Sequence, residues 1–140
     1  MELWTTDATT DLDVYLYDSF DGLALGRLLA QKPDLAFAEA GYHSIALDEP
    51  VQVKRNEDIA VVVKVTNATY GYPVATDPNG RVEEGRTYMS CSGVWWNDMG
   101  IEYGTDVAVR LRTERRADAA SLAPQVSAIS PDQAGPDAVV

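Results

Sequence analysis

DIAVVVKVTN, residues 58–67, is the most strongly β-forming run in the chain. In an extended backbone Ile59, Val61, Val63 and Val65 share one side, while Ala60, Val62, Lys64 and Thr66 share the other. One face is therefore wholly apolar and β-branched, and the second only half apolar, which is the pattern of a central strand in a sandwich. Polar Asn56-Glu57 leads into the run, and Asn67-Ala68-Thr69-Tyr70-Gly71-Tyr72-Pro73 ends it, because Gly and Pro interrupt regular pairing.

Outward from this run, other segments look built to pair with it or pack on it. Leu12, Val14 and Leu16 alternate with Asp13, Tyr15 and Tyr17, which predicts a strand with the aliphatic side inward. Shorter strands are expected at 3–6, 27–31, 41–47, 51–53 and 87–92, with a loop from Pro33 to Glu39. A last strand is expected at 106–113, placing Val107, Val109 and Leu111 inward. Residues 70–86 hold three Gly and two Pro without periodicity and read as a long connection, with a short strand near Val74. No segment makes a convincing helix. Closely spaced strands joined by turn-rich loops predict an all-β chain, an antiparallel β-sandwich of roughly eight strands. From Ala117 the composition turns to Ala, Ser, Pro, Asp and Gln, so 1–115 is read as the folded domain and 116–140 as a flexible tail or linker.

With 140 residues and 46% hydrophobic content, the chain can bury one respectable core. Its 22 acidic residues outweigh 11 basic ones, and a net charge of −11 repels phosphate backbones and anionic headgroups. Nucleic acid and membrane insertion are therefore not expected as partners. Cys91 is the only cysteine, which rules out an internal disulfide or a zinc–thiolate cluster. No run approaches the roughly 18 to 20 apolar residues of a membrane span, and the first residues lack a signal-peptide pattern. Either the protein stays in the cytoplasm, or the chain is a piece of something longer; strand-like sequence almost from Met1 favours the second expectation.

Six segments in order carry a family resemblance: 12–17 (LDVYLY), 40–47 (AGYHSIAL), Pro50-Val51, 58–65, 85–90 (GRTYMS) and Trp96-Asn97-Asp98. Together they resemble the lectin-like domain that follows papain-like cysteine peptidase domains in archaeal and bacterial secreted proteins. The resemblance runs from about Leu3 to Arg112. It implies a jelly-roll type of sandwich acting as a non-catalytic accessory module, with a papain-like peptidase domain in the same parent chain. It also implies an extracellular or cell-surface location as part of a longer exported protein. Cys91 departs from the small or acidic residue expected within that TYMSCS strand.

A thiol nucleophile needs a neighbouring imidazole and an electropositive site, yet Cys91 and His43 both fall in predicted strands. No catalytic residue is expected; Cys91 reads as a small structural hydrophobe and His43 as a partly buried, hydrogen-bonded side chain. Asp11, Asp13, Asp18 and Asp21 bracket one strand and invite comparison with a calcium site, but they lack the spacing of a preformed loop, and turns use Asp for backbone reasons. No metal or other cofactor is expected. Tyr70, Tyr72, Trp95 and Trp96, with Asn97 and Asp98 beside the tryptophans, are the expected ligand contacts. Sugars lay C–H faces on aromatic rings while Asp and Asn take the hydroxyls, although one of two adjacent strand tryptophans should face inward. Asn67-Ala68-Thr69 is a glycosylation sequon. The expected function is an accessory module binding carbohydrate or a surface polymer; the alternative is an interaction module packed on the peptidase without a ligand of its own.

Overall fold

The computed structural model describes residues 1–54 and 57–114; the expected tail at 116–140 lies outside them. Ten strands and one short helix follow one another as β1 (Glu2–Thr5), β2 (Asp11–Tyr17), β3 (Leu28–Ala36), β4 (Gly41–Ser44), β5 (Ala60–Thr66), β6 (Thr76–Asp77), β7 (Tyr88–Met89), β8 (Asn97–Asp98), α1 (Met99–Tyr103), β9 (Asp106–Val107) and β10 (Val109–Arg110). All pairings are antiparallel. One sheet has the order β3-β2-β5 and a second β10-β1-β4, with two small ladders, β6-β9 and β7-β8, alongside. The chain is an all-β sandwich, as its alternation predicts.

The core is where the two larger sheets meet. Leu12 and Val14 of β2 face Leu3 of β1 and Ile45 just beyond β4, and Leu35, Phe37, Val63 and Val65 close around them. Each fully buried aliphatic side chain contributes about 1.5–3 kcal/mol. Leu12 pairs with Val65, Val14 with Val63 and Leu16 with Val61, so the inward sides of β2 and β5 form one apolar layer.

The run at 58–67 forms a strand, but at the edge of its sheet rather than its centre: β5 pairs with β2 among the described residues, and β2 is the middle strand. Alternation states which side chains face the core and is silent on which backbone edges find partners. Lys64 points away from the core, ion-pairs with Asp13 at 2.8 Å and puts a charge on that edge.

Other differences have equally local causes. β3 runs on through Pro33 instead of ending there. Leu12 pairs with Leu35 but Val14 with Lys32, so Pro33 and Asp34 together oppose Asp13 in a bulge. Asp34 takes φ 57°, and its N–H donates to Asp13 Oδ1 at 3.0 Å. A proline is tolerated there because β3 is an edge strand at an irregularity. Residues 51–53 form no strand. The final strand is broken at Ala108, whose N–H reaches Ala75 O at 2.9 Å while its carbonyl receives Trp4 N–H. The chain thus leaves the β6 ladder as β9 and joins β1 as β10. Between β8 and β9 lies the helix that sequence periodicity missed. Its five residues are too few to show a period; Asp98 caps its start and Gly104, at φ 60°, ends it.

Candidate functional site

The alternation of β1 sends Leu3 and Thr5 inward, so Glu2 and Trp4 share the outer side. Antiparallel register then decides their company. Trp4 pairs directly with Tyr42 of β4, and Glu2 pairs with Ser44 on one side and Arg110 on the other. Directly opposed residues lie on the same face, so a tryptophan, a tyrosine, a carboxylate and a guanidinium converge on one sheet surface. Trp4 is 51% exposed and Tyr42 53%, which leaves both rings available for contact.

Around this surface the 106–110 strand pair and the turn at 77–81 raise a wall, making a groove of about 370 Å³. That volume is at the small end of ligand clefts. The turn is built by Asp77, whose Oδ1 accepts the N–H groups of Asn79 and Gly80, both at 3.0 Å. Glycine at 80 leaves room for this carboxylate, since a Cβ would meet Asp77 Oδ2 at 2.8 Å and push it off its N–H partners. Asp77 stands opposite Asp106 in the β6-β9 ladder, and Asp106 Oδ1 accepts the Thr87 hydroxyl at 3.0 Å. Arg81 also lines the groove and ion-pairs with Glu83 at 3.1 Å.

Glu2 is only 5% exposed although it lies on the outer face. Its Oε1 is ion-paired with Arg112 Nε at 2.6 Å, while Oε2 is buried and has no hydrogen-bond partner among the described residues. The Tyr42 hydroxyl beside it, followed by the Arg112 and Arg110 charges, holds the Glu2 carboxyl below its ordinary value, and burial works against them. The same neighbour pushes the Tyr42 phenol up.

The family model described as "Lectin like domain" matches residues 1–111, nearly all of the described structure. The chain belongs to this family. No curated protein and no solved structure matches it. A lectin-like domain is a binding module in outline, which agrees with a site made of a ring platform and polar walls.

Against this geometry the expected contacts of the lectin-like domain fall into two groups. Tyr70 and Tyr72 are exposed and meet edge-on, with centroids 5.8 Å apart. The Thr6 hydroxyl, just past β1, donates to the carbonyls of Tyr72 and Pro73 and ties their loop to the Trp4 strand. Trp95 projects from the bend between β7 and β8 and is 75% exposed. Trp96 turns inward, packing edge-on against Phe20 at 5.4 Å, and Phe20 packs on Tyr88 at 5.0 Å. One tryptophan of the pair is thus outward and one inward, as adjacent residues in an extended segment must be. Asn97 and Asp98 form β8. The Asp98 carboxylate is occupied, accepting the N–H groups of Gly85, Gly100 and Ile101 at 2.6, 2.9 and 3.2 Å. No ring contact or hydrogen bond among the described residues joins the Tyr70–Tyr72 pair to the tryptophan segment.

The groove residues Glu2, Trp4, Tyr42, Asp77, Asp106 and Arg110 were not singled out from sequence. The signal was present in part: a strand at Glu2-Leu3-Trp4-Thr5 with a core-facing Leu3 necessarily turns Trp4 outward. What it could not show was Tyr42 beside it.

Of the remaining sequence candidates, His43, Asp18, Asp21 and Asn67 serve the fold, whereas Cys91 is not the small structural hydrophobe expected of it. His43 accepts or donates at Thr5 Oγ1 across 2.9 Å and stacks on Phe37 at 3.8 Å. Cys91 lies not within a strand but exposed in the turn after β7. Asp18 accepts Arg27 N–H and ion-pairs with its guanidinium, and Asp21 accepts from Leu23 and Ala24 N–H, so both serve their turns. Among the described residues no three His, Cys, Asp or Glu side chains gather as a metal site. Asn67 of the sequon donates from Nδ2 to Thr6 Oγ1 at 3.2 Å and accepts Thr10 Oγ1–H at 2.8 Å.

Proposed function

We propose that this lectin-like domain binds carbohydrate in the groove over β1, β4 and β10, as an accessory module of an exported protein that also carries a papain-like peptidase domain. The observation that carries the reading is the side-by-side exposure of Trp4 and Tyr42 on a sheet whose other outward residues include Glu2, Ser44 and Arg110, all polar or charged. A flat ring gives a sugar's C–H face a partner, and the surrounding carboxylates and guanidinium match its hydroxyls. Tyr70 and Tyr72, tethered through Thr6 to the end of β1, would extend the contact along a chain; on the β7-β8 side Trp95 and Asn97 are exposed but lie apart from the groove lining, and Trp96 and Asp98 serve the fold. Binding of this kind would keep the peptidase near a polymer or cell surface, and the resemblance in motif order supports that setting.

The test is retention on immobilised neutral polysaccharides, namely cellulose, chitin, mannan and galactan, for the parent domain and for Trp4→Ala. Retention on at least one polymer, weakened at least about tenfold by the substitution, is the expected result, because one central ring contact contributes roughly 1.5–3 kcal/mol. Absence of retention on every polymer, or an unaffected Trp4→Ala, overturns the proposal. The peptidase setting is tested by the natural gene: a papain-like domain encoded ahead of Met1 is expected.

A second reading is favoured by a different observation. Leu23, Val94, Trp95, Ile101 and Tyr103 are all strongly exposed. Exposed apolar side chains in this number suit a protein contact, so the β7-β8 and α1 region would pack on the attached peptidase domain. If so, Trp95→Ala would loosen that packing, seen as separate thermal transitions of the two domains in the parent protein, and leave polysaccharide retention unchanged.

A further inference from the structure

The Oε2 oxygen of Glu2 is buried without a hydrogen-bond partner among the described residues. A carboxylate buried to this degree normally has both oxygens hydrogen-bonded, because the unmet acceptor was stripped of water without replacement. Here Oε1 is held by Arg112, while Oε2 is unpartnered and shut off from solvent in a residue that lines the groove. The side chain beside it is Tyr42, half exposed on β4, an edge strand. A ligand that reaches Oε2 has to displace that phenol.

A second feature points the same way. The register sets Asp77 against Asp106 on the groove wall, and like charges directly opposite one another are unfavourable. Among the groove-lining residues Glu2 is ion-paired with Arg112 and Arg81 with Glu83, which leaves the two carboxylates of Asp77 and Asp106 against the one guanidinium of Arg110. The chain as a whole carries −11. Such a site has acceptors in excess and repels anions.

From this geometry we infer that Glu2 is the specificity-determining residue of the groove: its Oε2 accepts a hydroxyl of a neutral sugar, Arg110 donates to the adjoining oxygen, and sugar acids are rejected. The inference rests on the carbohydrate reading and adds the ligand class to it. A vicinal pair of free hydroxyls satisfies both partners, one donating to Glu2 and the other accepting from Arg110, which stand opposite each other in the ladder. A sugar carboxylate or sulfate offers no donor to Oε2 and meets like charge there. Discrimination comes from the unpaired and repelled groups of the wrong ligand as much as from contacts to the right one.

The test uses the neutral polysaccharide that the parent domain retains and the same polymer carboxymethylated. The parent should retain the neutral form at least about tenfold better, the value of one hydrogen bond to a charged group. This comparison needs no variant. Glu2→Gln should weaken retention on the neutral polymer by about tenfold and narrow the gap between the two forms. Arg27→Gln, which removes an ion pair outside the groove lining, should leave retention and discrimination in place. Equal or tighter binding of the carboxymethylated polymer to the parent overturns the inference. So does unchanged retention by Glu2→Gln, or an equal loss by Glu2→Gln on both forms of the polymer, which would make the Glu2 carboxylate merely structural. Loss in Trp4→Ala with none in Glu2→Gln sinks this inference alone, whereas no retention by the parent sinks the carbohydrate reading with it.

Discussion

Two aromatic regions of the molecule differ in what holds them. Trp4 and Tyr42 stand on neighbouring strands, placed by a four-pair antiparallel register and backed on the other side of β1 by Leu3 in the core. Trp95 stands in a bend whose neighbours are fixed by hydrogen bonds from the Gly93 and Val94 N–H groups to Ser90 Oγ and Ser92 Oγ. The first pair inherits the rigidity of the sandwich; the second has only its own turn. Binding geometry that must persist without ligand is better served by sheet residues, since little ordering entropy is then lost on association. Exposure alone would have chosen Trp95, which is the more exposed ring.

The hardest way to break this comparison is from beneath. Leu3→Ala removes the core support of the platform and should cost about 2–5 kcal/mol in denaturant unfolding, with polysaccharide retention falling in step. A loss below about 1 kcal/mol would mean that the sheet does not anchor the face. Next comes the direct contrast in binding: Trp4→Ala should lose at least about tenfold in retention, and Trp95→Ala less than about twofold, both with unchanged melting temperature. Reversal of that order would move the site to the β7-β8 bend. Asp98→Ala should cost about 0.5–2 kcal/mol through loss of the α1 cap, yet leave retention intact, because its carboxylate serves the backbone rather than a ligand. A coincident loss of binding would give Asp98 back the role expected from sequence.

The mildest test is pH. Glu2 is held below its ordinary 4.5 by Tyr42 first and by its arginines, and Asp13 below its ordinary 3.8 by Lys64 and the Asp34 N–H. In the turns, Asp7, Asp18 and Asp21 are lowered from the same 3.8 by the Thr9 hydroxyl, the Arg27 N–H and the Ala24 N–H respectively. A carboxyl whose folded value is depressed contributes its stability in full above the unfolded value and loses it as pH falls through the folded value. The urea midpoint should therefore be insensitive to these five groups from pH 8 to about 5 and fall progressively below about 4.5. Stability that instead rises on acidification through this window would contradict the assigned partners.

Much of the sandwich was legible from local pattern. Leu12, Val14 and Leu16 are buried as their alternation requires, and 58–67 makes a strand. Legibility stopped where partners mattered. A proline at 33 reads as a stop until β3 is seen to lie at an edge with a bulge, and 106–113 reads as one strand until Ala108 is seen to change ladders. For the site, the aromatic count favoured the second half of the chain, whereas the groove joins residues 2 and 4 to 42, 77, 106 and 110.

By itself the sequence determined the composition of the faces: period-two alternation dictates which side chains of a strand can point to the core, and that is a property of neighbouring residues. It also determined the acidic surface and, through motif order, the lectin-like family. Tertiary structure alone decided which strand is central, which aromatic ring stands beside which, and that the Glu2 carboxylate is buried with one oxygen unmet. Those depend on hydrogen-bond register between strands dozens of residues apart, and a one-residue slip in register, invisible in composition, would have sent Tyr42 to the opposite face from Trp4.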